Sequence, residues 1–298
     1  MEQNSLALFC DAHFHLIPSV EALGTDSLPR GRGVTAAHSP KEFLAQEKLV
    51  RQLNGGTSQS GAAQFSACEK SSDTAPASQA CVQSCSPRVL QSFGLHPQAP
   101  FDGERDFAER LDFLEGLLRE RRVQAVGECG LDFFTPEFSA NRAAQEKAFA
   151  AQLELAARHS VPVIVHARKA TQEIFASAAA LKKVPAVVFH SFAGTLIDAR
   201  SLLEKGVNAY FSFGKPLMNG AKKAILCARS LPLVRLLFET DAPYQTLKGE
   251  RFTSPAEIAD VYQTAFELRT AGLPFEARPS FADFRAAIEE NFRRVFWR

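Results

Sequence analysis

The sequence predicts an α/β protein built as a (β/α)8 TIM barrel with an extra C-terminal helix. Three observations predict it. Eight short apolar segments recur along the 298 residues, most of them followed by a stretch of helical period, and that alternation implies parallel strands. Most of these segments end in His, Glu or Asp, and barrels of this kind gather their reactive groups at the C-terminal ends of the strands. No glycine-rich phosphate loop follows any segment, which argues against an open nucleotide-binding sheet. Such a barrel commonly takes about 250 residues as one unit, so 1–298 reads as a single domain.

The first segment, Phe9-Cys10-Asp11-Ala12-His13-Phe14-His15, starts apolar and ends polar. Side chains alternate along a strand, so Asp11, His13 and His15 are expected on one face. Two imidazoles at i and i+2 suit chelation of one divalent ion. A polar connection follows over 18–29, with a short helical turn near 20–23, and 33–38 reads as a weak second strand. Ser39 caps the next helix, with Pro40 at its first position and Glu42 at its third. That helix runs to about Leu53 and carries Phe43, Leu44, Leu49 and Val50 on one face. From about 54 to 87, Gly, Ser, Ala, Gln and Thr dominate without a sustained period, which predicts a low-complexity insertion.

The third strand spans 88–94 and leads into Leu95-His96-Pro97, followed by a helix over 102–121. A fourth strand over 123–128 ends at Glu128, before Cys129-Gly130-Leu131-Asp132. A long alanine-rich helix covers 139–159. Strands over 161–166 and 186–190 each end in a histidine and are separated by a helix over 170–183. A helix over 195–205 stops at Gly206. The strand 207–213, a helix over 217–230 and the last strand 233–238 follow, ending in Glu239-Thr240-Asp241-Ala242-Pro243. Two helices, 254–271 and 280–296, finish the chain.

Composition narrows the function. A formal charge of +1 offers no global basic field for nucleic acid or membranes, so any nucleic-acid contact needs a local patch. Six cysteines are too sparse for a disulfide scaffold. The first residues lack a basic n-region and a long apolar run, and no apolar stretch reaches membrane-spanning length. A cytoplasmic protein with reduced thiols is the expectation, with no obligate protein partner legible.

The chemistry collects at the strand ends: His13 and His15, His96, Glu128, His166, His190 and Asp241. Five of these are histidines in a chain that has seven; His38 and His159 are left over, the latter placed against a helix dipole. Six nitrogen and oxygen ligands, two of them carboxylates, exceed the needs of one four-coordinate ion and suit two, with one carboxylate bridging. Imidazole ligands favour Zn, Mn, Fe or Co over a site built for Mg alone. The residues by themselves therefore point to a binuclear metal-dependent hydrolase.

Six motifs in this order resemble the TatD-type metal-dependent deoxyribonucleases of the amidohydrolase-like barrels: Asp11-Ala-His13-Phe-His15, Gly94-Leu-His96-Pro97, Gly127-Glu128-Cys-Gly-Leu-Asp132, His166-Ala-Arg168, His190-Ser-Phe-Ala-Gly194 and Glu239-Thr-Asp241-Ala-Pro243. Residues 291–296 are similar to the family's terminal Asn-x-x-x-x-Phe helix. The resemblance spans most of 6–244 outside the low-complexity segment. It implies that His13, His15 and Asp241 hold one metal, His166 and His190 the other, and that Glu128 bridges them. The cofactors would be two divalent cations, Zn, Mn, Mg, Fe or Co. Asp241 would also orient or deprotonate the attacking water, which makes Asp241 and Glu128 the catalytic pair. His96 and Arg168 would contact phosphate, for which the bidentate guanidinium is suited. Asp11 and Glu239 are expected to accept from imidazoles and fix their tautomers. For Glu239 and Asp132 two readings are open, a buried salt bridge or loop cap and a direct catalytic role.

The activity implied is a phosphodiesterase that trims the 3' ends of DNA, single-stranded ends in particular. A deacylase or amidohydrolase acting on a small or aminoacyl substrate is the nearest alternative, and a non-catalytic metal-binding scaffold the alternative of another class. Past Tyr244 many family members carry further prolines, where this chain has Gln245-Thr246-Leu247. Phe14, Phe133, Phe134, Phe192 and Phe213 fall near strand ends, either as barrel-rim packing or as platforms for bases.

Overall fold

The computed structural model describes residues 9–25, 31–55, 89–99 and 101–297. Eight strands form one sheet: β1 (Cys10–Phe14), β2 (Arg32–Ala37), β3 (Val89–Phe93), β4 (Ala125–Asp132), β5 (Val163–Arg168), β6 (Val187–Phe189), β7 (Ala209–Phe213) and β8 (Leu236–Phe238). They pair in sequence order, each parallel to the next. Backbone bonds tie the two ends of the sheet together: Asp241 N donates to His13 O at 3.0 Å and His15 N to Ala242 O at 2.8 Å. The architecture is the (β/α)8 barrel that the alternation predicts.

The helices between and after the strands are α1 (Leu16–Leu23), α2 (Pro40–Leu53), α3 (Gly103–Arg119), α4 (Pro136–Ala140), α5 (Arg142–His159), α6 (Thr171–Ala176), α7 (Ala178–Leu181), α8 (Leu196–Glu204), α9 (Lys222–Ser230), α10 (Ile258–Thr270) and α11 (Phe281–Phe296). Several segments differ from expectation. The connection after β1 is a two-turn helix rather than a single turn. The helices expected over 139–159 and 170–183 each break in two, at Asn141 and Ser177. Residues 233–235 form a 3-10 turn, so β8 is only three residues long. The low-complexity segment expected at 54–87 lies, from residue 56 on, outside the described residues.

Strand alternation places the site. Val34, Leu90, Ile164, Val188 and Leu237 belong to one buried cluster with Phe292, Val295 and Phe296 of α11. Two residues on from Ile164, Val188 and Leu237 stand His166, His190 and Glu239, on the same face. Asn291 Nδ2 donates to Leu233 O and Leu236 O, at 2.7 and 2.9 Å, which holds α11 at the start of β8. The last helix therefore plugs the end of the barrel opposite the polar mouth. Among the described residues, no helix is long and apolar enough to cross a membrane.

A candidate metal centre at the barrel mouth

Glu128 is the hub. Its Oε1 lies 2.6 Å from His190 Nε2, 2.7 Å from His166 Nδ1 and 3.1 Å from His96 Nε2. Its Oε2 lies 3.2 Å from His13 Nε2 and 3.7 Å from His15 Nε2. Asp241 Oδ1 closes the group, 3.5 Å from His13 Nε2 and 3.4 Å from His15 Nε2. All seven groups expected at the strand ends thus converge. Arg168 stands at the end of β5, exposed at the mouth, and lines the same cavity of about 680 Å³.

Burial pushes the Glu128 carboxyl up, but the imidazoles of His190, His96 and His13 outweigh it and hold it well below the usual range. Burial likewise raises Asp241, and the hydrogen bond to His15 with the His190 and His13 rings brings it down to about 2. For His190 burial lowers the pKa, but the Glu128 carboxylate drives it well above 6.5.

The polypeptide around these groups is clamped by side chains on α5. Gln145 accepts from Asp132 N at 2.7 Å and donates back to Asp132 O at 3.1 Å. Gln152 does the same for Leu95, at 2.7 and 3.2 Å, and so fixes the residue before His96. Asp132, wholly buried, accepts from His166 Nε2 at 2.9 Å, from Gln98 Nε2 at 2.7 Å and from Phe134 N at 2.8 Å. Asp132 thus both caps the loop through Phe134 N and pairs with His166, whose ring it orients. Glu239 is similar: its Oε1 accepts from Ser191 N at 2.6 Å and lies 3.5 Å from His190 Nδ1.

Asp11 departs from expectation. It accepts from Thr240 N, Thr240 Oγ1 and His13 N, at 3.0, 2.6 and 3.2 Å, and from no imidazole. Its short side chain meets the chain leaving β8 before any ring, so it ties β1 to that loop rather than setting a tautomer. His38, left over from the sequence pattern, is drawn in as well. Its Nε2 is 3.8 Å from Glu128 Oε2, and its ring centroid is 4.8 Å from that of His96 and 5.3 Å from that of His15. Burial, then the neighbouring His96 and His15, hold its pKa well below 6.5. The signal for it was its place directly after a strand. Of the five phenylalanines near strand ends, Phe14, Phe133, Phe192 and Phe213 are buried in the core and Phe134 is exposed.

The donor set is fit to hold divalent ions. Both ring nitrogens of buried His13 lack a hydrogen-bond partner. With the Nε2 proton of His166 on Asp132, its Nδ1 lone pair faces a Glu128 oxygen at 2.7 Å. Two acceptors tolerate that approach only with a proton or a cation between them. Three groups bring their donor atoms together: His13, His190 and Asp241; His13, His15 and Glu128; His96, Glu128 and His166. The groups overlap, sharing His13 and Glu128, so one connected cage holds all seven side chains.

The family model for TatD-related DNase matches residues 10–297. The 3'-5' ssDNA/RNA exonuclease TatD of Pantoea ananatis is 38% identical over 214 residues, covering 68% of this chain and 76% of that protein. A metal-dependent hydrolase of Bacillus subtilis, YabD, is 29% identical over 216 residues, 70% of this chain and 77% of its own length. Among solved structures, YjjV, a TatD homolog from Escherichia coli K12, superposes with a TM-score of 0.68 at 24% identity, over 97% of this chain and 98% of that one, a likeness of fold. On the match along nearly its whole length, the chain belongs to the TatD-related DNase family.

Proposed function

We propose that the protein is a divalent-metal-dependent phosphodiesterase that removes nucleotides from the 3' ends of single-stranded DNA. One observation carries the reading: the two oxygens of Glu128 face different imidazole sets, Oε1 toward His96, His166 and His190 and Oε2 toward His13 and His15. A carboxylate so placed is suited to bridge two ions. His13, His15 and Asp241 would hold one and His166 and His190 the other, with Zn, Mn, Mg, Fe and Co the candidates. Bound ions supply acidified water and offset charge on the phosphoryl oxygens.

This chain's own groups do the rest. Asp241, a carboxylate at neutral pH, accepts the proton of the attacking water as oxygen bonds to phosphorus; the phosphoester bond breaks, and the 3'-oxygen of the shortened strand leaves and takes up a proton to become a hydroxyl. His96 and Arg168 hold the remaining phosphate oxygens. The Arg168 guanidinium lies 3.9 Å over the exposed Phe134 ring, which aims its fork. The single-domain organisation of 1–298 is part of the proposal, supported by a family match that runs from residue 10 to 297. So is a cytoplasmic location, supported by three free, buried cysteines, Cys10, Cys129 and Cys227.

A cavity of about 680 Å³ also accommodates a small ester or amide, which keeps the deacylase reading as the alternative. Purified protein loaded with Mn2+ and incubated with 3'-labelled and 5'-labelled single-stranded DNA, single-stranded RNA and model esters decides between them. Loss of the 3' label with progressive shortening is expected. Ester or amide cleavage with intact nucleic acid would refute the nuclease reading, and stoichiometric metal binding without any turnover would leave a scaffold.

A further inference from the structure

We propose that Gln245 is a positioning residue that sets which oxygen of Asp241 faces the metal centre; the inference rests on the two-ion reading above. Both N–H groups of its amide are used. One donates to Asp241 Oδ2 and the other to Ser191 Oγ, each at 2.8 Å. The amide orientation follows from chemistry, because the opposite flip would set Gln245 Oε1 against a carboxylate oxygen. A carboxylate free to turn presents either oxygen. A donor on Oδ2 removes that freedom and leaves Oδ1 toward His13 and His15.

The backbone is shaped for this contact. Asp241, Ser191 and Gln245 have φ of +53°, +45° and +53°, a region that non-glycine residues rarely adopt, and the three meet at one amide. Ser191 N donates to Glu239, which faces His190 Nδ1. Gln245 therefore braces the Asp241 side of the cage against the turn that carries His190. A Cβ at Gly214 would stand 2.9 Å from Gln245 Oε1 and 3.0 Å from Glu239 O, so a side chain there would crowd this slot. The segment beyond is anchored by Thr253 N donating to Pro243 O at 3.0 Å and by buried Lys215, which pairs with Glu250 and Glu257.

The test uses metal-stripped full-length wild type, Gln245→Leu and Gln245→Asn, titrated with Mn2+ by calorimetry, melted without metal, and assayed on a single-stranded oligonucleotide. Leu removes the donors and Asn withdraws them by one methylene. The expected result is a fall of about 10–100-fold in Mn2+ affinity at one site and a lower kcat with unchanged KM. Wild-type affinity and kcat in both variants would overturn the proposal. So would a raised KM with affinity and kcat intact, which makes Gln245 a substrate contact. A lowered metal-free Tm with intact affinity would also overturn it. The calorimetry needs no substrate, so a wild type without nuclease activity would refute the nuclease reading and still leave the Gln245 result decisive.

Discussion

Replacing Asp132 by Asn tests the metal centre through a residue outside the expected ligand set. The carboxylate receives three donors on two oxygens: His166 Nε2 and Gln98 Nε2 on Oδ2, and Phe134 N on Oδ1. Burial raises its pKa, and the hydrogen bonds from His166, Gln98 and Phe134 N outweigh burial and bring it from 3.8 to about 2. A carboxyl depressed by that much contributes about 2 kcal/mol of stability. The contribution is fully present above the unfolded pKa and is lost as pH falls through about 2; at pH 3 about half of it remains. Asn keeps one acceptor and adds a donor. If its oxygen serves His166 and Gln98, its NH2 faces the Phe134 N–H, and a buried donor goes unmade at about 1–3 kcal/mol. If its NH2 faces His166, the ring must carry its proton on Nδ1, where the lone pair for an ion belongs. In urea unfolding without metal, Asp132→Asn should therefore be less stable by about 2 kcal/mol at pH 6, the gap narrowing toward pH 3. Metal affinity should fall about 10–100-fold. A variant with wild-type affinity and a pH-independent stability difference would refute the role given to Asp132.

Three further outcomes are expected. His166→Ala should lower the bound Mn2+ from two ions to one by elemental analysis and abolish turnover, whereas His96→Ala should keep both ions and raise KM; one ion in His96→Ala would move His96 into the ligand set, where it stands beside His166 and Glu128. Arg168→Lys keeps the charge but loses the fork and its stacking on Phe134, which should cost about 1.5–3 kcal/mol, or roughly 10- to 150-fold in kcat/KM on an oligonucleotide. Stripping metal with a chelator should lower Tm, since ions at about 100 times their Kd stabilise the fold by about 2.7 kcal/mol; an unchanged melting curve would argue that the cage binds no ion tightly.

The barrel was legible because eight apolar segments carry a period that local chemistry does not disguise. Where that period fades, the structure departs from expectation. β2 is short of large apolar residues, and polar pairing supports it instead: Thr35 Oγ1 donates to Gln46 Oε1 at 2.8 Å and accepts from Leu16 N at 2.9 Å. His38 follows directly on this inconspicuous strand, whose weak apolar signal does not mark it as the other histidines are marked. Asp11 shows a different limit. Alternation gives the face on which a side chain stands but not how far it reaches, and Thr240 lies nearer than any ring. Gln245 sits in a loop whose conformation no period announces, and its contacts to Ser191 and Asp241 appear only once the chain has turned back on itself.

The sequence predicts that β4 ends at Glu128, and the structure differs. The strand runs four residues further, to Asp132, and its register against β5 shifts between Val126 and Cys129. Glycines on either side of Glu128 explain how. At Gly127, φ is +149° and a Cβ would stand 2.7 Å from Ile164 O; at Gly130, φ is +140° and a Cβ would stand 2.0 Å from His166 O. Only a residue without a side chain lets β4 lie this close to β5 in that conformation. From β3 the approach is as tight, since a Cβ on Gly94 would stand 2.6 Å from Glu128 O. The close packing brings His96 and His166 to 3.1 and 2.7 Å from Glu128 Oε1. Gly127-Glu128-Cys129-Gly130 thus does two physical tasks. The carboxylate supplies the chemistry and the glycines supply the closeness, so Ala at position 127 or 130 should disturb the cage without replacing a single ligand.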